Sequence, residues 1–371
     1  MKKEKLKIQR ESLWQRGSFY LDLFPVLKTI GYDFNIYSLE GEGTGDWVFN
    51  GGIGGRLSFL RPGFYLSSAL TPYYLAFLHN REENFLNHDA VGEFGLRVSR
   101  LNFYAGYFDI KEKTRPSFEL GPRIVLHRRS LVFSTEVSPG SPLSFEVLGR
   151  RDEYQYSNLW GSGGFSPADR TESTYLLHLR RRIFSATHLV FTLGYRRSFF
   201  RYDPRNRNAV QGWGEVRINF PEVSRIKGSF SLGFKGLRSV KEGGLRFQGI
   251  KGRGDVTAEV GPFLLSMSYH LDWIYSVFVV DIIRVRNLKA GGGVKILRDN
   301  FRIQGWHSRG DLLFLYSGRI DKMKNSGIQF LFRVSPRSFV GLQYFWLKIT
   351  SSVHQWSRLI NTVGGVVVYE I

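Results

Sequence analysis

Phe263-Leu264-Leu265-Ser266-Met267-Ser268-Tyr269-His270-Leu271-Asp272-Trp273-Ile274-Tyr275 decides the fold. Its odd positions are Phe, Leu, Met, Tyr, Leu, Trp and Tyr. Its even positions carry Ser266, Ser268, His270 and Asp272 between Leu264 and Ile274. Alternation at 180° per residue means an extended strand with one apolar face. Thirteen residues is long for a soluble strand, which is most often about 5–6 residues. It suits a tilted strand that crosses a bilayer, which needs about 9–11 residues.

The same alternation recurs along the chain. Val210, Gly212, Gly214, Val216 and Ile218 oppose Gln211, Trp213, Glu215 and Arg217. Ile226, Phe230, Leu232 and Phe234 oppose Lys227, Ser229, Ser231 and Lys235. Phe94, Leu96 and Val98 oppose Glu93 and Arg97; Tyr175, Leu177 and Leu179 oppose His178, Arg180 and Arg182; Ile328, Phe330 and Phe332 oppose Gln329 and Arg333. A soluble sandwich would turn the apolar face inward. A barrel in lipid turns it outward and keeps the polar face toward water.

Turn signals set the strand count. Arg61-Pro62-Gly63, Ser99-Arg100, Ser138-Pro139-Gly140, Phe184-Ser185, Pro221-Glu222, Gly261-Pro262, Arg298-Asp299-Asn300 and Ser335-Pro336-Arg337 recur at a nearly constant interval that holds two long strands and one connection. Eight such turns separate nine hairpins. The expected fold is therefore all-β: a transmembrane, antiparallel, up-and-down β-barrel of about 18 strands. Residues 18–371 form this single barrel, and residues 1–17 form a basic N-terminal segment on the periplasmic side. Longer polar connections, such as Leu39 to Asp46, His79 to His88 and Tyr156 to Thr171, alternate with the tight turns. Tight turns belong to the periplasmic end and long loops to the extracellular end. Tyr156 to Thr171 is long enough to fold into the lumen.

Composition supports this reading. Aromatics are 15% of the 371 residues and Gly numbers 41, which favours sheet over helix. There is no cysteine, so neither a disulfide framework nor a thiolate metal site exists. No apolar run approaches the roughly 20 residues of a spanning helix. Met1 to Arg16 is basic and polar and does not read as an export signal. Lys plus Arg outnumber Asp plus Glu by 52 to 32, for a formal charge of +20. These cations are spread through almost every strand rather than gathered in a patch, which argues against nucleic acid as a partner. A β-propeller also repeats at about 40–45 residues, but it turns about every ten residues. The alternation here runs longer without a break.

The C-terminal run Gly365, Val367, Tyr369, Ile371 shares one face, as in barrels inserted by the barrel-assembly machinery. Gly31-Tyr32-Asp33-Phe34-Asn35-Ile36-Tyr37, Leu245-Arg246-Phe247, Gly252-Arg253-Gly254-Asp255 leading into Gly261-Pro262, and the strand from Ser266 together resemble a family of outer-membrane β-barrel porins associated with exopolysaccharide loci. The resemblance implies the bacterial outer membrane, with its lipid and lipopolysaccharide as surroundings, and a channel for polysaccharide export. It supplies no catalytic residues.

No constellation of a hydrolase emerges. The eight His residues are scattered singly, and Glu82/Glu83 and Asp152/Glu153 read as loop or rim charges. No catalytic residue, cofactor or metal site is expected. Glu40 to Asp46 reads as a hairpin loop rather than a cation site. Arg253-Gly254-Asp255 and Arg309-Gly310-Asp311 read as glycine kinks flanked by lumen charges. Arg on the lipid face at the midplane costs about 2–4 kcal/mol, which assigns the strand cations to the lumen. The expected pore lining is Arg97, Arg180, Arg182, Arg217, Lys227, Lys235, Arg284, Arg286, Arg302 and Arg333 with Glu93, Glu215 and Asp272, joined by Gln211, Gln304 and Gln329. Trp160, Trp273, Trp346 and Trp356 are expected in interfacial girdles. A basic lumen favours anions, so the expected function is passive passage or export of polar and anionic solutes, including acidic exopolysaccharide. The competing readings are a closed structural or adhesive barrel and a soluble glycan-binding propeller.

Overall fold

The computed structural model describes residues 12–34, 44–114, 124–140, 142–157, 168–184, 187–201, 207–220, 225–241, 244–276, 281–297, 299–335, 338–353 and 357–369. Nineteen strands belong to one sheet. They are β1 (Trp14–Arg16), β2 (Phe19–Asp33), β3 (Asp46–Arg61), β4 (Phe64–Phe77), β5 (Phe85–Val98), β6 (Leu101–Thr114), β7 (Ile124–Gly140), β8 (Leu143–Ser157), β9 (Arg170–Arg182) and β10 (His188–Phe200). They continue as β11 (Ala209–Asn219), β12 (Ile226–Ser239), β13 (Arg246–Val260), β14 (Phe263–Tyr275), β15 (Ile282–Ile296), β16 (Phe301–Phe314), β17 (Ile320–Ser335), β18 (Ser338–Ser351) and β19 (Arg358–Tyr369). Each of β2 to β19 pairs antiparallel with its chain neighbours, and β19 returns to pair with β2. The result is a closed 18-strand up-and-down barrel. A single closed ring is not a propeller, so that alternative is overturned. Seven of the eight expected tight turns fall at the junctions of consecutive strands, and the central residues of some, such as Pro221-Glu222 and Pro336-Arg337, lie outside the described residues; the eighth, Ser138-Pro139-Gly140, is the last part of β7, which runs on to Gly140 before β8 begins at Leu143.

The outer face is apolar for most of the strand length. Phe230, Leu232 and Phe234 on β12, Phe263, Leu265 and Met267 on β14, and Phe330 and Phe332 on β17 are all exposed. The intervening positions are Ser, Gln, Lys, Arg and Glu, and they point inward. No helix of the described residues is long and apolar enough to cross a membrane. In a barrel every backbone donor and acceptor is used by a neighbouring strand, which is why lipid can be crossed this way.

Closure takes the least pairing of any seam. Most neighbouring strands share a ladder along nearly their whole length, but among the described residues β19 and β2 share the register pairs Thr362↔Asp33, Val363↔Tyr32, Gly364↔Gly31 and Gly365↔Ile30, continued by the Phe34 amide donating to the Asn361 carbonyl at 3.0 Å. A bulge at Lys28 shifts the register of β2 with β3, which resumes at Thr29↔Asn50. Below it stands Pro25, which has no N–H to give a ladder and belongs at a strand edge. Farther down, β1 pairs with Phe19–Leu21 on the edge that β3 leaves free. Gly31 is what lets the seam shut. A Cβ there would lie 2.3 Å from the Gly364 Cα and from the Val363 carbonyl oxygen.

The long-loop ends are tied by side chains that accept backbone N–H groups. Asp46 is fully buried and accepts from the amides of Trp47, His79 and Asn80 at 2.8–2.9 Å. Asp281, just before β15, repeats the device with the amides of Ile282, Tyr316 and Ser317. Asn87 takes the amide of Lys113 at 2.7 Å, and Asn208 that of Phe200 at 2.7 Å. At the opposite end Asp299 sits in the β15–β16 turn with φ +73°, a conformation Asp tolerates. Its carboxyl is held below the ordinary carboxylate range, chiefly by hydrogen bonds from Arg302, with Arg333 adding to the effect.

Two expectations follow. Gly31→Val should prevent closure, read as loss of the fast-migrating, heat-sensitive folded band in a detergent gel, while Gly92→Ala, where a Cβ meets open space, should leave that band intact. The stability contributed by Asp299 should be complete above the ordinary carboxylate range and fall away as pH drops through its depressed folded value. Asp299→Ala should therefore lower the melting temperature at pH 7 and show a shallower loss on acidification than the parent.

Candidate functional site in the barrel lumen

The register assigns each expected lining residue to a face. Arg97, Arg180, Arg182, Arg217, Lys227, Lys235, Arg302, Arg333, Glu93, Glu215 and Asp272 take inward positions. Gln211, Gln304 and Gln329 do so as well. Arg284 and Arg286 do not. They share the phase of Leu288, which is 44% exposed, and pair across β16 with Leu313 and Asp311, so they stand on the outer face. The Arg309–Asp311 tripeptide shares that outer phase, whereas Arg253 and Asp255 point inward and pair at 3.4 Å. The midplane penalty misled here. It falls to about 0–1 kcal/mol near the interfaces, and these residues lie toward the loop end. Trp346 takes an outward position on β18, two residues from Lys348. Trp273 instead wedges between β14 and β13, stacking on Phe247 with centroids 3.9 Å apart and donating to the Ile250 carbonyl. Trp160, Trp356, residues 158–167 of the long β8–β9 connection and residues 40–43 of the Gly-rich loop lie outside the described residues.

The inner wall is built of ion pairs rather than bare cations. Glu215 receives Arg217 at 2.7 Å and Lys251 at 2.6 Å. Lys235 meets Asp272 at 3.1 Å. Arg150 pairs with Asp152 at 2.7 Å. Arg170 bonds Glu172 at 2.7 Å and the Tyr156 hydroxyl at 3.1 Å, and its guanidinium lies 4.0 Å from the Tyr154 ring centroid. Arg196 reaches Thr174 at 3.1 Å and Glu172 at 3.9 Å. Lys28, at the bulge, covers the Tyr73 ring at 3.5 Å and reaches Asp89 at 3.4 Å. Arg302 and Arg333 share Asp299. Glu93 accepts from the Tyr104 hydroxyl at 2.8 Å. Arg97, Arg180 and Lys227 lie nearer the turn end, outside these pairs.

Sequence reading omitted Lys28, Arg128, Arg150, Arg170, Arg196, Lys251 and Lys289 from the lining; alternation carried the signal for Lys251 and Lys289, while Lys28 sits at a bulge and Arg128, Arg150 and Arg196 belong to basic doublets.

The space inside is uneven. A cavity of about 770 Å³ opens against β12 to β18. Arg225, Lys227, Lys289 and Glu259 line it with the amides of Gln304, Asn325, Gln329 and Gln343 and the ring of Trp306. Trp306 can lie flat because its partner across the ladder is Gly327. A Cβ on that glycine would come within 2.2 Å of the indole. Trp213 covers Gly194, and Tyr65 covers Gly95, in the same way. Aromatics laid over cross-strand glycines keep bulk against the wall. Toward the loop end the lumen narrows. Ile274 of β14 shares a 230 Å³ cavity with Tyr154, Arg170, Phe200 and Gln211, which belong to strands at least three places round the ring. Ile283, Leu312 and Phe314 form a buried apolar cluster there, and Val48, Leu75 and Phe77 form another.

Among the described residues, one group of His and carboxylate side chains converges, His88, Asp109 and His127. Its register is outward, and Asp109 also receives Tyr107 and Arg129.

No family model matches the chain, and no curated protein matches it. Solved structures do. The chain is similar to OccK2 of Pseudomonas aeruginosa in complex with glucuronate, with 9% identity over 95% of this chain and 98% of that one, at a TM-score of 0.56. It is similar to OpdK of Pseudomonas aeruginosa with vanillate, with 10% identity over 94% and 97% and a TM-score of 0.54. It is similar to a BenF-like porin from Pseudomonas fluorescens, with 9% identity over 94% and 98% and a TM-score of 0.56. The fold is that of 18-strand outer-membrane porins.

Glu215 neutralises two cations on this wall. Glu215→Gln should free Arg217 and Lys251 toward the lumen and raise anion preference. A unit charge about 4 Å away in water is worth about 1 kcal/mol, so the permeability ratio should rise by at most about fivefold. Reversal potentials across a salt gradient measure it.

Proposed function

We propose that the protein is a diffusion channel of the Gram-negative outer membrane for small carboxylated solutes. The observation that carries this reading is the 770 Å³ cavity on the inner wall, where three cations (Arg225, Lys227 and Lys289), one carboxylate (Glu259), four amides and an indole line the same space. Cations attract a carboxylate, amides exchange hydrogen bonds with hydroxyls, and the indole offers a face to a sugar or an aromatic ring. The glucuronate and vanillate of the two solved neighbours both carry a carboxylate. An acidic exopolysaccharide presents the same groups in series, so the wall chemistry suits export of such a chain only where the narrowed loop end admits it.

One observation favours a closed barrel. Apolar clusters and dense ion pairs crowd the loop end. Planar-bilayer recording separates the two readings. The channel reading expects discrete conductance steps with anion preference, partial block by glucuronate, and weaker block in Lys227→Gln/Lys289→Gln. Pure, folded protein that gives no steps would sink it. Block by hexuronate oligomers as well as the monomer would extend it to polysaccharide.

A further inference from the structure

Where the outer face meets the loop end of β15 to β18, its chemistry changes. Arg309, Lys324 and Lys348 are direct cross-strand neighbours in one outward row. All three are exposed. Such neighbours have Cβ atoms about 4.5–5.5 Å apart, and like charges so placed repel. Lys322 lies one outward position above Lys324, beside Asp311, whose carboxylate is already taken by Arg284 at 3.1 Å and Arg286 at 2.6 Å. Six cations thus share one acid. Among the described residues, neither Lys322, Lys324 nor Lys348 has a carboxylate at ion-pair distance. A row of this kind is incomplete without an anion supplied from outside the chain.

Its depth says where that anion comes from. Descending from the cation row, the outward rows read His307, Ser326 and Trp346, then Ile328 and Tyr344, then Ile303, Phe330 and Leu342, then Phe301, Phe332 and Val340. This is the order of a membrane half: headgroup charge, interfacial aromatics, acyl chains. The row stands eight residues from Phe301, about 20 Å up a tilted strand, near the top of an apolar band about 25 Å tall. Arg129, Arg151 and Arg197 continue outward charge on the far arc, at β7, β8 and β10. Among the described residues the turn end has no such row of three cross-strand cations. Strands β2 to β5 carry Ile30, Trp47, Tyr74 and Leu86 toward the loop end instead.

We infer that Arg309, Lys324 and Lys348, flanked by Lys322, Arg284 and Arg286, form a binding surface for the phosphorylated headgroup of an outer-leaflet glycolipid. Two or three cations in register match the oxygens of one phosphate, and the apolar rows beneath accept its acyl chains. This rests on the barrel's position in the membrane and not on conductance.

The test uses the full chain folded in a nonionic detergent. The probes are lipid A with both phosphates, the same lipid dephosphorylated, and inorganic phosphate. The phosphorylated lipid should be retained in native mass spectra and raise the melting temperature by about 5 °C, because a ligand that binds only the folded state stabilises it. Raised salt should diminish the shift. The dephosphorylated lipid and inorganic phosphate should give none. Arg309→Gln/Lys324→Gln/Lys348→Gln should abolish retention and shift together. An equal shift from the dephosphorylated lipid, a shift from inorganic phosphate alone, or full retention by the triple variant would overturn the inference. The comparison of lipids on the unaltered chain decides it even where the variant folds poorly.

Discussion

A backbone amide left unpaired in hydrocarbon costs several kcal/mol, and this requirement governs the whole molecule. It forces the eighteen long strands into a ring with no free edge in lipid. It also explains the loop-end side chains. Where ladders run out, Asp46, Asn87, Asn208 and Asp281 take the place of the missing neighbour and accept the last amides. The ring is weakest where the chain must find its own beginning. The β2–β19 seam has four ladder pairs, a proline and a bulge, and it depends on two glycines whose backbones nearly touch. The bulge is not idle. It turns Lys28 onto Tyr73 and Asp89, so the irregularity of the seam also places a cation on the wall.

Most of the fold was legible because strand period and turn spacing are properties of local sequence. Alternation in Phe263–Tyr275 and Ile226–Phe234 gave the outward face directly. The count of eighteen followed from eight tight turns. What local sequence could not settle was phase where both faces are polar. In Ile282-Ile283-Arg284-Val285-Arg286, apolar and basic residues alternate without saying which set meets lipid. The answer came from the register with the neighbouring strand, since Arg286 is paired with Asp311 and both follow the phase of Leu288. The doublets Arg128-Arg129, Arg150-Arg151 and Arg196-Arg197 show the same limit. Period two sends one member of each inward and the other outward. Which one faces the lumen depends on register with the neighbours. Trp273 escaped prediction for another reason: β13 and β14 part above Gly252, and the indole fills the gap.

These doublets also explain the net charge. A composition of +20 first suggests a lumen lined with cations. The described inner wall is far nearer neutrality, because Asp152, Glu172, Glu215 and Asp272 answer Arg150, Arg170, Arg217 and Lys235. Much of the unanswered charge stands on the outer face near the loop end. Low dielectric in a narrow lumen strengthens every charge and makes an unpaired one costly. At the outer interface the same charge meets water, ions and headgroups.

The two surfaces therefore use Arg and Lys in opposite ways. Inside, Arg150, Arg170, Arg217, Lys235 and Lys251 are each held by a carboxylate, so the wall offers a solute a pattern of dipoles and a few cations outside those pairs, such as Lys227, not a trap. A carboxylated solute can then exchange one partner for the next without being stranded, which conduction requires: binding strong enough to enter and weak enough to leave. Outside, the Arg309–Lys324–Lys348 row has no carboxylate built in, and a ligand there has nothing to displace. Tight, static binding suits that face. Pairing within the chain is thus what separates a surface that passes anions from one that keeps them.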